Sequence, residues 1–183
     1  MARTTMATLI TRLRLLIGDP VIAGTPPTSV FSDDELQDFL DARRTEVLEA
    51  QVLPRPTGVT GPMVSYLDYF APRGPWEDGV VLKDAAQYAI TPATSDLIRG
   101  HWTFAANQVP PVYITGNFYD LYGSAAMALE AWIGKVTLEF DFSTDKQTFT
   151  RTGKRAGLAQ LAEAYWRHAV QPGKRPEWRG SYW

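Results

Sequence analysis

The 183-residue chain contains no cysteine and only two histidines, His101 and His168. The missing cysteines exclude disulfides, cysteine nucleophiles, iron–sulfur clusters and cysteine-based zinc sites. The two histidines have no ligand spacing pattern, which argues against a zinc site of any other kind. A chain without cysteine is also typical of proteins made in a reducing compartment.

Long apolar runs and an excess of positive charge are missing as well. The longest apolar stretches are far shorter than the roughly 18 residues that a membrane span needs. Arg12 and Arg14 interrupt the apolar stretch Leu9–Ile17, which excludes a secretory signal. Lys and Arg total 18 against 20 Asp and Glu, so a net charge of -2 does not suggest a general nucleic-acid binder. We expect a soluble protein made in the cytoplasm, without a membrane partner.

Catalytic motifs are absent too. There is no Gly-x-Gly-x-x-Gly run and no Gly-x-Ser-x-Gly elbow, and Thr148 stands where a phosphate-binding loop ending in Gly153-Lys154 needs its first glycine. His101 lies in a predicted strand without a local partner, which favours a structural or surface histidine. Glu77 and Asp78 are adjacent, so their side chains point apart and suit a solvated turn better than a pair of glycosidase acids. We therefore expect no enzyme activity, catalytic residue, metal or cofactor.

Two helices are predicted in residues 1–53. The first covers about Thr5 to Ile17 and ends at Gly18-Asp19-Pro20, because proline cannot continue a helix. The second begins with a capping box in which Glu35 follows Ser32 by three residues, and it ends at Pro54 at the latest. Its buried stripe is predicted to be Leu36, Phe39, Leu40, Val47 and Leu48.

Residues 54–116 predict a β-rich insertion. The stretch holds eight of the 13 prolines and six of the 14 glycines, between short alternating apolar segments. The predicted strands are Met63–Phe70, Gly79–Lys83, Gly100–Phe104 and Val112–Thr115. The core of this insertion is predicted to be aromatic, from Tyr66, Tyr69, Phe70, Trp76, Tyr88, Trp102, Phe104 and Tyr113.

Helical spacing returns at Phe118 and continues for about twenty residues, to Phe140. Residues 141–152 are polar and turn-like, and a last helix is marked by the apolar residues from Leu158 to Ala169. The predicted fold class is therefore α+β: a helical bundle of about four helices, formed by residues 1–53 and 117–169, with an inserted antiparallel β subdomain at 54–116.

The C-terminal residues 170–183 combine helix-breaking, aromatic and basic residues. Pro and Gly residues prevent a long helix, and Trp, Tyr and Arg are the residue types most enriched at interface hot spots. The sequence therefore predicts an extended docking arm, with a disordered terminus and stacking on DNA as alternatives. The predicted docking residues are Lys174, Arg175, Trp178, Arg179, Tyr182 and Trp183.

The order of these elements resembles that of the head–tail connector, or adaptor, proteins of tailed bacteriophages. The resemblance is carried by the helix start Phe31-Ser32-Asp33-Asp34-Glu35-Leu36, by the Ala-rich segment 121–132 and by the basic terminal helix. It covers residues 1–53 and 117–169. The segment 54–116 looks like the β insertion of the larger proteins of this type.

The resemblance implies a structural virion protein in the neck, between capsid portal and tail. Such proteins form a homo-oligomeric ring, usually twelve-fold, beneath the portal protein, and present a surface for the next neck or tail-completion protein. The ring extends the channel through which packaged double-stranded DNA passes without sequence-specific contact. We expect the docking arm to order on a neighbouring subunit or on the portal.

Charge suggests a property of that channel. Residues 1–53 carry five basic and eight acidic residues, and residues 117–142 carry one basic and four acidic, whereas residues 143–183 carry eight basic and three acidic. A lumen lined by either acidic segment would repel DNA rather than hold it through counterion release. The alternative is that these acids solvate outer faces.

Two other functions remain open from the residues alone. The aromatic β insertion could be a carbohydrate- or host-surface-binding module, which glycan binding would reveal. A small hydrolase built on His101 and nearby acids would have to lose its activity in a His101→Ala variant.

Overall fold

The protein has a mixed α+β fold, as predicted, with helices at both ends of the described chain and strands between them. The computed structural model describes residues 1–19, 29–60, 63–137, 142–144, 147–149 and 151–170. Two compact units can be distinguished. One joins Met1–Arg43 to the segment that begins at Asp120, and the other is Arg44–Tyr119.

The first unit is mainly helical. It contains a short 3-10 helix, Thr4–Met6, followed by α1 (Ala7–Ile17), α2 (Asp33–Asp41), α3 (Leu121–Thr137) and α4 (Arg151–His168). Helix α3 packs against each of the other three helices. Its small residues permit these close approaches, and the buried ones are Gly123, Ser124, Ala125, Ala126 and Ala128.

The predicted end of the first helix and the predicted start of the second are confirmed. Helix α1 ends at Gly18, whose φ of 71° is the left-handed conformation that glycine adopts without strain. Helix α2 begins with the predicted capping box, because the Ser32 side chain accepts from the backbone N–H of Glu35 and the Glu35 carboxylate accepts from the backbone N–H of Ser32.

The second unit is an antiparallel sheet of seven strands in the order β4-β3-β7-β1-β2-β6-β5. The strands are β1 (Arg44–Thr60), β2 (Met63–Phe70), β3 (Val81–Lys83), β4 (Ala89–Ile90), β5 (Thr94–Asp96), β6 (His101–Thr103) and β7 (Val112–Tyr119).

The sheet is curled around an aromatic core. The Trp76 ring lies 5.8 Å from that of Phe118 on β7 and 6.0 Å from that of Trp102 on β6, measured between centroids. Because β1 and β2 separate β7 from β6 in the strand order, both can contact one indole only if the sheet bends back on itself. The buried core consists of Val47, Val52, Tyr69, Ala71, Trp76, Leu82, Trp102, Phe104, Val112, Ile114 and Phe118.

The prediction for the second half of the second helix is wrong. Helix α2 ends at Asp41, and Val47 and Leu48 lie on β1 instead of on a helical stripe. Val47 is buried in the sheet core, whereas Leu48 is 70% exposed. Pairing decides the outcome, since β1 is hydrogen-bonded to β7 up to Val52 and to β2 from Leu53 onward.

Pro54 does not end an element but lies within β1, as does Pro56. Proline lacks the N–H that a strand with neighbours on both edges must donate. Both prolines follow Val52, the last β1 residue paired with β7, so they occur where β1 has only β2 as a paired neighbour.

Two later boundaries also differ from the prediction. Phe118 belongs to β7, and α3 begins only at Leu121. Part of the segment predicted to be turn-like forms an antiparallel hairpin of β8 (Phe142–Thr144) and β9 (Gln147–Phe149), and α4 begins directly after it. Phe140, predicted to end the long helical stripe, lies outside the described residues.

The predicted aromatic core is confirmed for Tyr69, Trp76, Trp102 and Phe104, all buried. Tyr66, Phe70 and Tyr113 are half-buried. Tyr88 is a correction, because its side chain is 72% exposed. It follows a turn in which the Asp84 carboxylate accepts from its backbone N–H at 2.9 Å, and this turn holds the ring outside the core.

Candidate functional site: the end of helix α4 and its outer face

The six predicted docking residues, Lys174, Arg175, Trp178, Arg179, Tyr182 and Trp183, lie outside the described residues. Val170, the residue from which the C-terminal segment continues, is described. The surroundings of Val170 and the surface of α4 are therefore the parts of the candidate site with known geometry.

The backbone of Val170 is held by two side chains that are distant in sequence. Its N–H donates to Asp120 Oδ2 at 2.9 Å, and its carbonyl accepts from Arg43 Nη2 at 2.8 Å. The same Arg43 Nη2 donates to Asp120 Oδ2 at 2.7 Å. We call Arg43, Asp120 and Val170 the tail anchor.

Asp120 is positioned by the start of α3. Its Oδ1 accepts from the backbone N–H of Gly123 at 3.0 Å, and its carbonyl accepts from the backbone N–H of Ser124 at 2.9 Å, as expected of a residue that caps a helix. The Asp120 side chain is only 6% exposed. Because one carboxylate accepts from Arg43, Val170 and Gly123, the start of α3 and the end of α4 are bound to the same group.

The tail anchor fits only because residue 123 is a glycine without a Cβ. A Cβ at this position would lie 2.5 Å from Arg43 Nε and in contact with Asp120 Oδ2. Any residue other than glycine must therefore displace the ion pair.

The Arg43 guanidinium also lies against an aromatic ring, with its Cζ 5.4 Å from the centroid of Trp166. The indole N–H of Trp166 donates to Glu130 Oε1 on α3 at 2.7 Å. Arg43 Nε is buried and has no hydrogen-bond partner within the described part of the chain. The guanidinium is thus held by Nη2 and by stacking.

Apolar side chains contribute to the solvent-exposed surface of α4, which we call its outer face. Of the side chains described on this 18-residue helix, Ala162 alone is fully buried. Leu161 is 36% exposed and Trp166 is 37% exposed. The exposed parts of Leu161 and Trp166 are apolar surface that another protein could cover.

The acidic residues of α2 are largely compensated inside the first unit. Asp33 pairs with the buried Arg14 at 2.7 Å, Glu35 with Lys135 at 3.0 Å and Asp41 with Arg3 at 2.7 Å. Asp34 pairs with the amino terminus at 3.0 Å, and Asp38 has no cationic partner among the described residues.

Hydrogen bonds from Ser32 and Lys135 keep the pKa of Glu35 below its ordinary value. The backbone N–H of Ser32 makes the larger contribution, and the ammonium group of Lys135 adds to it. This carboxylate therefore stays ionised in the role of a helix cap.

His101 has partners that the sequence did not reveal. Its Nε2 lies 3.2 Å from Asp68 Oδ1, and its ring stacks on Phe70 with centroids 4.2 Å apart. Thr103 Oγ1 donates to the same Asp68 oxygen at 2.7 Å, which together with His101 holds the pKa of Asp68 below its usual range. Thr103 Oγ1 also lies 3.4 Å from His101 Nε2, so one ring nitrogen faces both the hydroxyl and the carboxylate, whereas a nucleophile–base–acid relay uses the two ring nitrogens separately.

Glu77 is buried in the second unit and accepts from the Tyr119 hydroxyl at 2.6 Å and from the Asn117 amide at 3.3 Å. It is therefore not the solvated turn acid that the sequence suggested. Asp78 occupies the turn, where its Oδ1 accepts from the backbone N–H of Gly79. Glu77 and Asp78 thus have separate roles.

The described ranges contain neither a cluster of metal ligands nor a helix that could span a membrane. Three or more His, Asp or Glu side chains do not converge anywhere in those ranges as metal ligands would. The helices found there also lack the combination of length and apolar character that a bilayer crossing demands.

Asp120 and Arg43 were not predicted as functional residues. An acid three positions before a glycine, at the start of an Ala-rich helix, is a recognisable cap pattern for Asp120. Nothing in the sequence pairs it with Arg43, 77 positions earlier. Comparison with known proteins adds no further assignment, because no family model, curated protein or solved structure matches this chain.

Proposed function

We propose that this chain is a structural virion protein, a head–tail adaptor that forms a ring under the portal of a tailed bacteriophage. It would extend the DNA channel, connect the capsid to the neck and tail, and bind the portal through residues 171–183. In this proposal the helices form a bundle that carries the sheet as an insertion.

The observation that carries the proposal is the outer face of α4. A helix with Leu161 and Trp166 at its surface suits a subunit that completes its packing against a neighbour. Contacts between different surfaces of identical subunits close into a ring when the rotation permits it.

The motifs behind the resemblance also have structural roles that suit a bundle. Ser32 and Glu35 cap α2, and Ala125, Ala126 and Ala128 of α3 are buried. These roles support the proposed helical bundle.

Ion pairs within the first unit reduce the negative charge that α2 could present to the proposed channel. Because four α2 carboxylates have cationic partners in the first unit, α2 has less free negative charge than its composition suggests. A repelling lumen would then depend on the acids that project from the assembled ring. Electron microscopy of that ring tests this point, and a lumen lined mostly by Lys and Arg would reject it.

Native mass spectrometry tests the main proposal, with the protein alone and mixed with portal-containing capsids. We expect a ring of about twelve subunits, by the family resemblance, and capsid binding that is measurably weaker when the chain is truncated after Ala169. A protein that stays monomeric on portal-containing capsids and does not bind them would contradict the adaptor function. Unchanged binding by the truncated chain would remove only the role of the C-terminal segment.

Exposed Tyr88 favours a second candidate function, recognition of a carbohydrate or host surface by the sheet. Its ring is presented on a turn held by Asp84, and exposed aromatic rings can stack on sugars. Glycan-array binding by the full chain, lost in a Tyr88→Ala variant, would support this function. A ring without glycan binding would count against it.

A further inference from the structure

The residue at which the C-terminal segment begins is held unusually firmly. Backbone groups beyond the end of a helix commonly bond to water and fray. Here both polar backbone groups of Val170 bind side chains that lie 50 and 127 positions away in the sequence. Neither partner belongs to α4, so the helix itself does not supply this restraint.

The two side chains that hold Val170 are themselves fixed. Asp120 is buried and caps α3, and Arg43 is confined between that carboxylate and the Trp166 ring. The Nε of Arg43 is buried without a hydrogen-bond partner among the described residues, which is a cost that a shorter hydrogen-bonding residue would avoid. The guanidinium has one nitrogen, Nη2, that donates to both the Asp120 carboxylate and the Val170 carbonyl.

We propose that Arg43 and Asp120 are positioning residues for portal docking: they fix the origin of the C-terminal segment on the helical unit. This inference rests on the proposed function. A segment whose first residue is already fixed loses less conformational freedom on docking than one that starts from a frayed helix end. The tail anchor therefore strengthens docking without contacting the portal.

Asp120→Asn is the variant that tests the anchor. The amide oxygen can still accept from the N–H of Gly123 and cap α3, but the amide nitrogen then faces two donors, Arg43 Nη2 and the Val170 N–H. The direct readout is hydrogen exchange at the Val170 amide, which should become at least about tenfold faster. Exchange at the wild-type rate would overturn the anchor.

A second variant and a control variant show whether an effect of Asp120→Asn comes from misfolding. Arg43→Lys keeps a positive charge beside Asp120 but loses the planar guanidinium that stacks on Trp166. The control is Asp38→Asn, which removes one negative charge, as Asp120→Asn does. The Asp38 side chain is exposed, belongs to the same unit and has no cationic partner among the described residues. Circular dichroism should show the wild-type helix content in all three.

The functional readout is affinity for portal-containing capsids, measured with the full chain and with a chain ending at Gln171. In the full chain we expect Asp120→Asn to bind about tenfold more weakly, Arg43→Lys to fall between, and Asp38→Asn to match the wild type. In the shortened chain Asp120→Asn should cause no further loss, because the anchor acts through the residues that have been removed.

The outcomes separate the two claims. Equal losses in the full and shortened chains would assign Asp120 a structural role only and overturn the inference, as would unchanged binding by the full-length Asp120→Asn variant. Failure of the wild-type chain to bind portal-containing capsids would overturn the proposed function and, with it, the docking role. The exchange rate at Val170 would still decide whether the anchor exists.

Discussion

Two glycines of α3 have the same backbone conformation and different surroundings. A Cβ at Gly123 would meet the Arg43 and Asp120 side chains, whereas a Cβ at Gly134 would have no neighbour within 4 Å. Helix propensity alone favours alanine over glycine by about 0.5–1 kcal/mol at either position. Only the contacts distinguish them.

We expect Gly123→Ala and Gly134→Ala to change stability in opposite directions. Displacing a buried ion pair costs about 3–5 kcal/mol when one charge loses its partner, so Gly123→Ala should destabilise by about 2 kcal/mol or more. Gly134→Ala should be neutral or stabilising by up to about 1 kcal/mol. Urea unfolding of both variants measures the difference, and equal effects would show that Gly123 does not shape the anchor.

Tyr69 makes the stability of the sheet dependent on pH in the alkaline range. Its ring is buried and its hydroxyl donates to the Gln108 carbonyl at 2.6 Å, and burial raises the pKa of the phenol to about 12. The folded state therefore holds this proton more tightly than the unfolded chain, in which the phenol titrates near about 10. The stabilising contribution is complete below the unfolded pKa and is lost as the pH rises toward the folded pKa.

Replacing Tyr69 by Phe should remove that dependence. We expect the variant to be less stable at neutral pH, by about 1 kcal/mol for the lost hydrogen bond, and to lose less stability than the wild type between about pH 9 and pH 11. Denaturant midpoints at both pH values make the measurement. Tyr88→Phe is the exposed control and should behave like the wild type; parallel curves for Tyr69→Phe and the wild type would contradict the assignment.

At the scale of elements, α2 and β1 show where local sequence stops being decisive. The capping box predicts where α2 begins, because both of its hydrogen bonds lie within four residues. The end of α2 has no comparable signal before Pro54, and the apolar residues Val47 and Leu48 fit a helical period by coincidence. Pairing makes β1 a strand: its first part pairs with β7, which is distant in sequence, and its last part pairs with β2, the next strand along the chain.

Helix α4 is the element from which the proposed ring can be tested. We expect Leu161→Ser to lower the fraction of protein in rings, since an interface would lose about 1–2 kcal/mol of apolar burial per contact. The stability of the single chain should fall by about 1–2 kcal/mol as well, because Leu161 is only 36% exposed within it, so ring formation is compared at a temperature at which the variant is folded. Native mass spectrometry over a range of concentrations gives both ring fraction and stoichiometry.

Leu48→Ser is the matched control for that experiment, because Leu48 is an exposed leucine on β1 rather than on a helix. The control should form rings as the wild type does. Equal ring fractions for Leu161→Ser and the wild type would exclude the outer face of α4 from the subunit contact.

At the scale of the whole molecule, charge is distributed in a way that composition conceals. The chain has a net charge of -2, with its acids concentrated early and its basic residues late. The structure brings part of this charge together, for example in the buried contacts of Arg14 with Asp19 and of Arg43 with Asp120. Stretches that are strongly charged in sequence can therefore present much less free charge in the folded protein.

The sequence by itself determined the α+β class, the start of α2 at Ser32, the end of α1 at Gly18 and much of the aromatic sheet core. Each depends on neighbours within a few residues or on a period that one element repeats. The length of β1 and the tail anchor were decided by the tertiary structure. The physical reason is that strand pairing and the contacts of Asp120 join residues tens of positions apart, so no local pattern records which partner each will meet.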